Sequence, residues 1–169
     1  MAMIMTGTPA AGQSVGNAVA VPGFGEIRDL PYAQERPNPK LRYRVVFSIS
    51  KAAGKPGEAN PSLLKVARFL NLLAHDGIRP RKGDIVAIAF GPATSALVQD
   101  PAPSAGASNP NSALIEKLQA AGVIVAVCSQ AMQGQGYTSK QMLPGVRIDD
   151  AAIVTMANLQ LSGFALIPD

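Results

Sequence analysis

Several residue types on which proteins commonly build chemistry are scarce in this sequence. Its 169 residues include one cysteine, one histidine and no tryptophan, with only five Phe and three Tyr. One cysteine excludes an internal disulfide, and one Cys with one His falls short of the usual zinc ligand sets. The scarcity of aromatic rings also argues against a surface that binds nucleic acid by base stacking.

Recognisable sequence signatures are missing as well. No apolar run reaches the roughly 18–20 residues of a membrane span, and the first residues lack the basic and apolar regions of a signal peptide. There is neither a Walker A phosphate loop nor a GxGxxG turn that opens a helix after a strand. We therefore expect a chain without a metal, a cofactor or a membrane span. It would be cytoplasmic as it stands, or periplasmic as the mature form of an exported protein.

Positive charge is present in only modest excess. Lysines and arginines number 15 and acidic residues 11, which gives a formal net charge of +4. Two groups of three cations stand out, Lys40, Arg42 and Arg44 before a predicted strand and Arg79, Arg81 and Lys82 in a predicted loop. Their dispersal along the chain favours solvated loop charges, and we expect no nucleic-acid partner.

What the sequence does contain is the material of a globular domain, 47% hydrophobic and 15% charged. A chain of this length suits one domain that buries a core without a disulfide or a metal. Residues 1–40 differ from the rest, because five prolines and five glycines interrupt every helix or strand period. We predict an N-terminal arm over 1–40, whose AVAVPGFG segment lies against the body or a neighbouring subunit. One α/β domain follows over 41–169.

Beyond the arm, apolar β-branched runs alternate with amphipathic stretches. Asn60 followed by Pro61 marks one helix start, Asn109 followed by Pro110 a second, and Asp149 a third. Five strands separated by helices predict a mainly parallel five-stranded sheet in a three-layer α/β/α sandwich of flavodoxin-like architecture. The predicted strands are 42–50, 84–90, 123–128, 146–148 and 164–168, and the predicted helices are 61–76, 110–121, 129–135 and 150–161.

Two of the predicted helices are too apolar for an ordinary surface position. The helix over 150–161 has little polar surface, and the helix over 61–76 has only a narrow polar stripe, formed by Lys65, Arg68, Asn71 and His75. Excess apolar surface of this kind predicts burial against another subunit, so we expect a homo-oligomer.

The only cysteine lies where a parallel sheet commonly places its ligands and reactive groups. Cys128 ends the predicted strand VIVAVC, beyond which a predicted helix begins with free amides that favour a negative charge on a nearby thiol. The residues alone leave two interpretations open, because a lone cysteine at a strand end is more often an inert buried side chain than a reactive thiol. The single histidine, His75, is best explained as a solvated helix residue, so no Cys-His dyad is predicted.

Five segments, taken in order, carry a resemblance to a known family. They are RYRVVFSIS, LLKVARFLNLLAHDGI, DIVAIAFGPATSAL, NPNSALIEKLQAAGVIVAVCSQAMQGQGY, and LPGVRI with LQLSGFALIP, which together span residues 41–168. The most specific parts are the strand that ends in cysteine, the Gly-Pro-Ala after the second strand and the closing GFALIP. In this series the chain resembles the DsrE/DsrF-like sulfur-relay family. The resemblance implies a parallel-sheet α/β domain that assembles as trimers or hexamers and works with sulfur donor and acceptor proteins.

The resemblance also implies a role for the cysteine. In sulfur-relay members, a cysteine at the place of Cys128 accepts sulfur as a persulfide and passes it on, as a carrier resembling a sulfurtransferase. With the resemblance included, a reactive thiol becomes the favoured interpretation of Cys128 over an inert buried side chain. One alternative is a non-catalytic module that binds a small ligand or a protein in the same cleft, and another is a structural oligomer whose arm docks on a neighbour. The residues predicted to form the site are Cys128, with Ser129, Gln130 and Ala131 beside it and Phe90, Gly91, Pro92 and Thr94 as the opposite wall.

Overall fold

Five parallel strands form one sheet at the centre of the computed structural model, which describes residues 19–55, 57–100 and 108–169. All four pairings between neighbouring strands are parallel, and the strand order across the sheet is β4-β3-β2-β1-β5. The predicted parallel α/β sheet is thereby confirmed. The strands are β1 (Val45–Ile49), β2 (Ile85–Ala89), β3 (Ile124–Cys128), β4 (Arg147–Asp149) and β5 (Ala165–Ile167).

The helices alternate with these strands along the chain. They are α1 (Pro61–His75), α2 (Ser112–Ala120), α3 (Ser129–Gly134) and α4 (Ala152–Leu161), with 3-10 helices at Gly91–Leu97 and Ser139–Gln141. The Asn60 side chain caps α1 as predicted, because it accepts hydrogen bonds from the amides of Ser62 and Leu63. The predicted loop 99–109 falls largely outside the described residues, and so do the first 18 residues of the arm.

Two of the predicted helix starts were wrong. The helix predicted from Pro110 begins at Ser112, while the Asn109 side chain accepts from the amide of Asn111 at 2.8 Å and donates to the carbonyls of Ala96 and Val98. The predicted cap Asp149 is the last residue of β4, and α4 begins at Ala152 without a side-chain cap. The Asp149 side chain accepts from Arg147 and from the Thr155 hydroxyl instead of from a helix amide.

The two faces of the sheet are covered unequally. Core side chains of α1, α2 and α3 all pack with Val45, Phe47 and their neighbours on one face. On the other face, Val46, Val86 and Ile88 pack in a cluster with residues of α4, and Ala131 of α3 lies in the same cluster. Because each of these strands presents apolar side chains to both faces, the central strands are buried on both sides, as parallel sheets require.

The order of the strands explains this division. From β1 to β4 each strand lies beside its predecessor, and the connecting helices stay on one face. From β4 the chain must return across the whole sheet to reach β5 beside β1, and a right-handed connection in that direction places α4 on the opposite face. The order therefore differs from the 2-1-3-4-5 order of flavodoxin itself.

The second half of the predicted arm packs on α1 of its own chain. The Asn71 side chain accepts from the amide of Val21 at 2.8 Å and donates to the carbonyls of Phe24 and Gly25 at 2.8 and 3.0 Å. Gly25 has a φ of +63°, and a Cβ there would lie 2.3 Å from the backbone nitrogen of Arg68. The segment therefore approaches α1 more closely than any other residue type would allow.

This packing changes the interpretation of α1. Asn71, placed in the predicted polar stripe, is 3% exposed. His75, predicted to be solvated, is half-buried, with Nδ1 3.0 Å from the carboxylate of Asp76. Much of the apolar surface that suggested a subunit contact on α1 is thus covered by residues 19–40 of the same chain. Across the described ranges, no helix is long and apolar enough to cross a membrane.

Candidate functional site

The topology creates one crevice at the carboxyl edge of the sheet, between β3 and β4. After β3 the chain turns into α3 on one face, and after β4 it continues into α4 on the other. Neighbouring strands whose connections leave to opposite faces form a switch point, where open α/β sheets bind their ligands. Cys128 is the last residue of β3 and therefore lies at this crevice.

Cys128 belongs to the α4 face of the sheet. Its side chain packs in the smaller apolar cluster with Ala126 and Ala152 and is 6% exposed. The residue also precedes the first residue of α3, with extended backbone angles of −71° and 117°. The amides of Gln130 and Ala131 in the first turn of α3 have no carbonyl partner within that helix. The thiol therefore lies on the apolar face that α4 covers, on the residue that directly precedes α3.

An open pocket of about 400 Å³ lies over the cysteine. Its walls come from the end of β2, from the β3–α3 junction and from the start of α4. No charged side chain is among the lining residues, which are Phe90, Gly91, Cys128, Gln130, Ala131, Ala151, Ala152 and Ile153.

The structure brings five of the eight predicted site residues together in this pocket, Phe90, Gly91, Cys128, Gln130 and Ala131. The other three lie outside its lining, for different reasons. The Ser129 hydroxyl turns away and donates to the carbonyl of Asp150 at 2.7 Å. Pro92 is exposed, and Thr94 is fully buried, with no hydrogen-bond partner for its hydroxyl among the described residues.

Three lining residues were missed by the sequence analysis. Ala151, Ala152 and Ile153 come from the start of α4, which reaches the pocket because α4 packs on this face of the sheet. Their small or aliphatic side chains carry no chemical signature, so only the strand order reveals them. Ile153 is 74% exposed and forms the outer rim.

The carboxylate of Asp149 lies next to the pocket, and both of its oxygens accept hydrogen bonds. Asp149 is paired in register with Cys128, and its carboxylate accepts from Arg147 Nε at 2.6 Å, Arg147 Nη2 at 2.8 Å and the Thr155 hydroxyl at 2.8 Å. The Arg147 guanidinium thus neutralises the acid that lies closest in the sheet to the thiol. In the described part of the chain, no group of three His, Cys, Asp or Glu residues is arranged to hold a metal ion.

His75 is placed far from this chemistry. It ends α1, and α1 runs against the direction of the strands, so its last turn lies at the amino edge of the sheet. Cys128 lies at the carboxyl edge. The structure therefore forms no Cys-His dyad.

A second polar constellation lies at the same carboxyl edge, next to β1. The Asp169 carboxylate accepts from the amides of Ser50 and Lys51 at 2.7 and 2.8 Å and from the hydroxyls of Ser50 and Ser62. Burial alone would raise the pKa of Asp169, but the hydrogen bonds from Ser62, Ser50 and Lys51 lower it from 3.8 to about 2. The Asp169 carboxylate thus connects the chain after β5 to the start of α1 by hydrogen bonds.

Comparison with known proteins places the fold. A family model described as the DsrE/DsrF-like family matches residues 43–168. Among solved structures, a protein of unknown function, MTH1491 from Methanobacterium thermoautotrophicum, is similar with a TM-score of 0.59 and 24% identity, over 75% of this chain and 99% of that one. The ychN protein from E. coli is similar with a TM-score of 0.54 and 20% identity, over 75% and 99%. Both likenesses concern the fold alone. No curated protein matches the sequence.

Proposed function

The chain belongs to the DsrE/DsrF-like family, and from this premise we propose that it is a sulfur-relay protein that carries sulfur as a persulfide on Cys128. The observation that supports the proposal most directly is the position of the thiol. Cys128 ends a strand at the switch point of the sheet and lines an open pocket beside the free amides of α3. A structural cysteine needs neither the pocket nor the amides.

The proposed chemistry is a thiol–persulfide exchange. The Cys128 thiolate attacks the outer sulfur of a donor persulfide, so that a new S–S bond forms on Cys128 while the donor S–S bond breaks and the donor leaves as a thiolate. An acceptor thiolate then attacks the outer sulfur held on Cys128, takes it as a persulfide and restores the Cys128 thiolate. No electrons are gained or lost overall, and no cofactor is required.

The pocket provides what the two steps need from this chain. Its volume of about 400 Å³ leaves room for an added sulfur atom and for part of the donor or acceptor. The amides of Gln130 and Ala131 can donate to negative charge on either sulfur, and the paired Arg147 reduces repulsion from Asp149. Because Cys128 is only 6% exposed, donor and acceptor must reach it through the pocket.

The test uses the fact that the chain has one cysteine. The protein is incubated with a low-molecular-weight alkyl persulfide, and its intact mass is measured. We expect a gain of one sulfur atom, which Cys128→Ala abolishes without loss of the folded circular dichroism spectrum. A matched variant, Cys128→Ala with Ser139→Cys, moves the thiol to an exposed position. If that surface thiol gains and retains sulfur as well as Cys128 does, the relay proposal is wrong.

A second candidate function is a non-catalytic binding module, favoured by the apolar walls of the pocket and by the burial of the thiol. Phe90 and Ile153 would hold an apolar ligand, with Cys128 only lining the site. In that case an apolar ligand raises the melting temperature equally in the native protein and in Cys128→Ala. A rise that disappears in Cys128→Ala would favour the relay.

We also propose that the protein acts as a homo-oligomer, a trimer or hexamer, and exchanges sulfur with donor and acceptor proteins. The support is the outer surface of α4, where Ile153 is 74%, Val154 45% and Leu161 88% exposed in the single chain. Since Ile153 also forms the rim of the pocket, assembly through α4 would place a second subunit beside Cys128.

A further inference from the structure

The amino edge of the sheet carries a basic cleft that the sulfur chemistry does not use. The segments before β1 and β2 lie side by side there, because Val45 is paired in register with Ile85. Cations that are about 40 residues apart in the sequence therefore meet in space. The cleft has a volume of about 410 Å³, and its charged lining residues are Lys40, Arg42, Arg79, Arg81 and Asp84.

The charge of this cleft is concentrated. Four cations face one carboxylate, a net charge of +3 in the cleft against +4 for the whole chain. Asp84 is already paired with one of these cations, since its buried carboxylate accepts from Arg42 Nη2 at 2.9 Å. Within the described ranges, no carboxylate lies in ion-pair distance of Lys40, Arg79 or Arg81. These three cations, all exposed, are free to meet an anionic partner.

The walls of the cleft indicate what kind of anion fits. Pro39, Leu41, Ile78 and Pro80 contribute apolar surface between the cations. The only aromatic ring in the lining, Tyr43, packs edge-on against Phe69 with its centroid 6.0 Å away, and its hydroxyl accepts from the amide of Asn38. A single ring falls short of the series of aromatic side chains on which single-stranded nucleic-acid sites stack successive bases. Apolar walls with free cations suit the methylenes and carboxylates of acidic side chains.

From these observations we propose that the cleft is a docking site for an acidic segment of a partner protein. Cys128 lies at the opposite edge of the sheet, so the partner bound here leaves the pocket over the thiol open. The docking site is independent of the proposed sulfur chemistry, because none of its residues lines that pocket.

The test measures binding of a fluorescently labelled ten-residue polyglutamate peptide by anisotropy near physiological salt. We expect saturable binding that weakens as salt is raised, and a loss of about tenfold or more in affinity in the double variant Arg79→Glu, Arg81→Glu. The control is Lys55→Glu with Lys140→Glu, which makes the same change in net charge on exposed residues elsewhere. Its affinity stays within about twofold, because charges beyond the Debye length of about 8 Å are screened.

Three outcomes would overturn the proposal. The peptide does not bind, or both double variants lose affinity equally, which would mean that only net charge matters. In the third, a labelled ten-residue oligothymidylate binds more tightly than the peptide and loses affinity in Arg79→Glu, Arg81→Glu, which would make the cleft a nucleic-acid site. Circular dichroism checks that the variants are folded. If the charge-reversing variant Arg79→Glu, Arg81→Glu is unfolded, the charge-neutralising variant Arg79→Gln, Arg81→Gln is measured in its place. Binding to Cys128→Ala stays unchanged, which separates this test from that of the relay.

Discussion

Cys128 and Asp149 are paired in register as the last residues of β3 and β4. Register partners on neighbouring strands direct their side chains to the same face, here the face that α4 covers. The thiol thus has an acid as its neighbour in the sheet, and Arg147 and Thr155 hold that acid in place. A thiolate forms more readily beside a neutralised carboxylate than beside a free one, because like charges repel.

The first prediction therefore concerns Arg147. Arg147→Gln leaves the charge of Asp149 uncompensated beside the thiol, so we expect alkylation of Cys128 by iodoacetamide at pH 7 to slow by about two- to fivefold. The matched control is Arg42→Gln, which breaks a similar Arg–Asp pair, with Asp84, at the opposite edge of the sheet. Equal rates in Arg147→Gln and the native protein, or equal slowing in both variants, would refute the prediction.

The second prediction concerns the Asp169 carboxylate. Because the folded-state pKa is about 2 and the ordinary value 3.8, the ionised group stabilises the fold above about pH 4. That stabilisation is lost as the pH falls towards 2. Asp169→Asn should lower the free energy of unfolding by about 1–2 kcal/mol at pH 7. The difference from the native protein should narrow below about pH 4.

Urea denaturation at pH 7, 4 and 3 measures this difference. Asp150→Asn provides the control, because the Asp150 side chain is exposed and its hydrogen bond to Ser129 uses the backbone carbonyl. If the free energy of unfolding of Asp169→Asn stays below that of the native protein by the same amount down to pH 3, the stabilisation does not depend on the charge of Asp169. A deficit of the same size in Asp150→Asn would remove the special role of Asp169.

The third prediction concerns the segment that packs on α1. Asn71→Ala leaves the amide of Val21 and the carbonyl of Phe24 without their partner in a buried place. We expect a loss of about 2–3 kcal/mol in the free energy of unfolding, or release of the segment from α1. Urea denaturation measures the loss in the free energy of unfolding, and limited proteolysis within residues 19–40 detects release of the segment. Gln133→Ala, at an exposed position of α3, should change neither. If Asn71→Ala is as stable and as protease-resistant as the native protein, these bonds contribute little.

The fourth prediction concerns the exposed side of α4. Ile153→Lys with Leu161→Lys places two charges on the surface proposed to join subunits, so we expect the mass from light scattering to fall to that of a monomer. Ala113→Lys with Ala120→Lys adds the same charge to exposed positions of α2 on the other side of the sheet and should leave the mass unchanged. A native protein that is already monomeric, or an Ile153→Lys, Leu161→Lys variant that stays assembled, would contradict assembly through α4.

Local signals predicted the fold well and the site only in part. The strands around Val46, Val86 and Ala126 are apolar on both faces, and this pattern is sufficient to predict a buried parallel sheet. The Asn60 cap succeeded because its partners are two and three residues away. Asp149 failed as a cap because its partner Arg147 belongs to the same short strand, a competition that spacing does not reveal.

The features that the sequence did not predict depend on contacts between distant parts of the chain. Ile153 reaches Cys128 only because the chain crosses the sheet between β4 and β5. Asn71 was assigned to a solvated stripe because nothing in the sequence shows that residues 19–25 lie over it. In the same way, the cations at Arg42 and Arg81 looked dispersed until the register of β1 and β2 brought them together.

The pairing of β1 with β5 has a consequence for how the protein is made. Val45 is paired in register with Ala165, so β1 leaves the ribosome long before the strand that covers one of its edges. Until then the nascent chain presents an apolar strand with a row of unpaired amides and carbonyls, a template for pairing with other chains. Both edges of β1 are covered only after β5 has been made, so this strand order carries a risk of aggregation during synthesis.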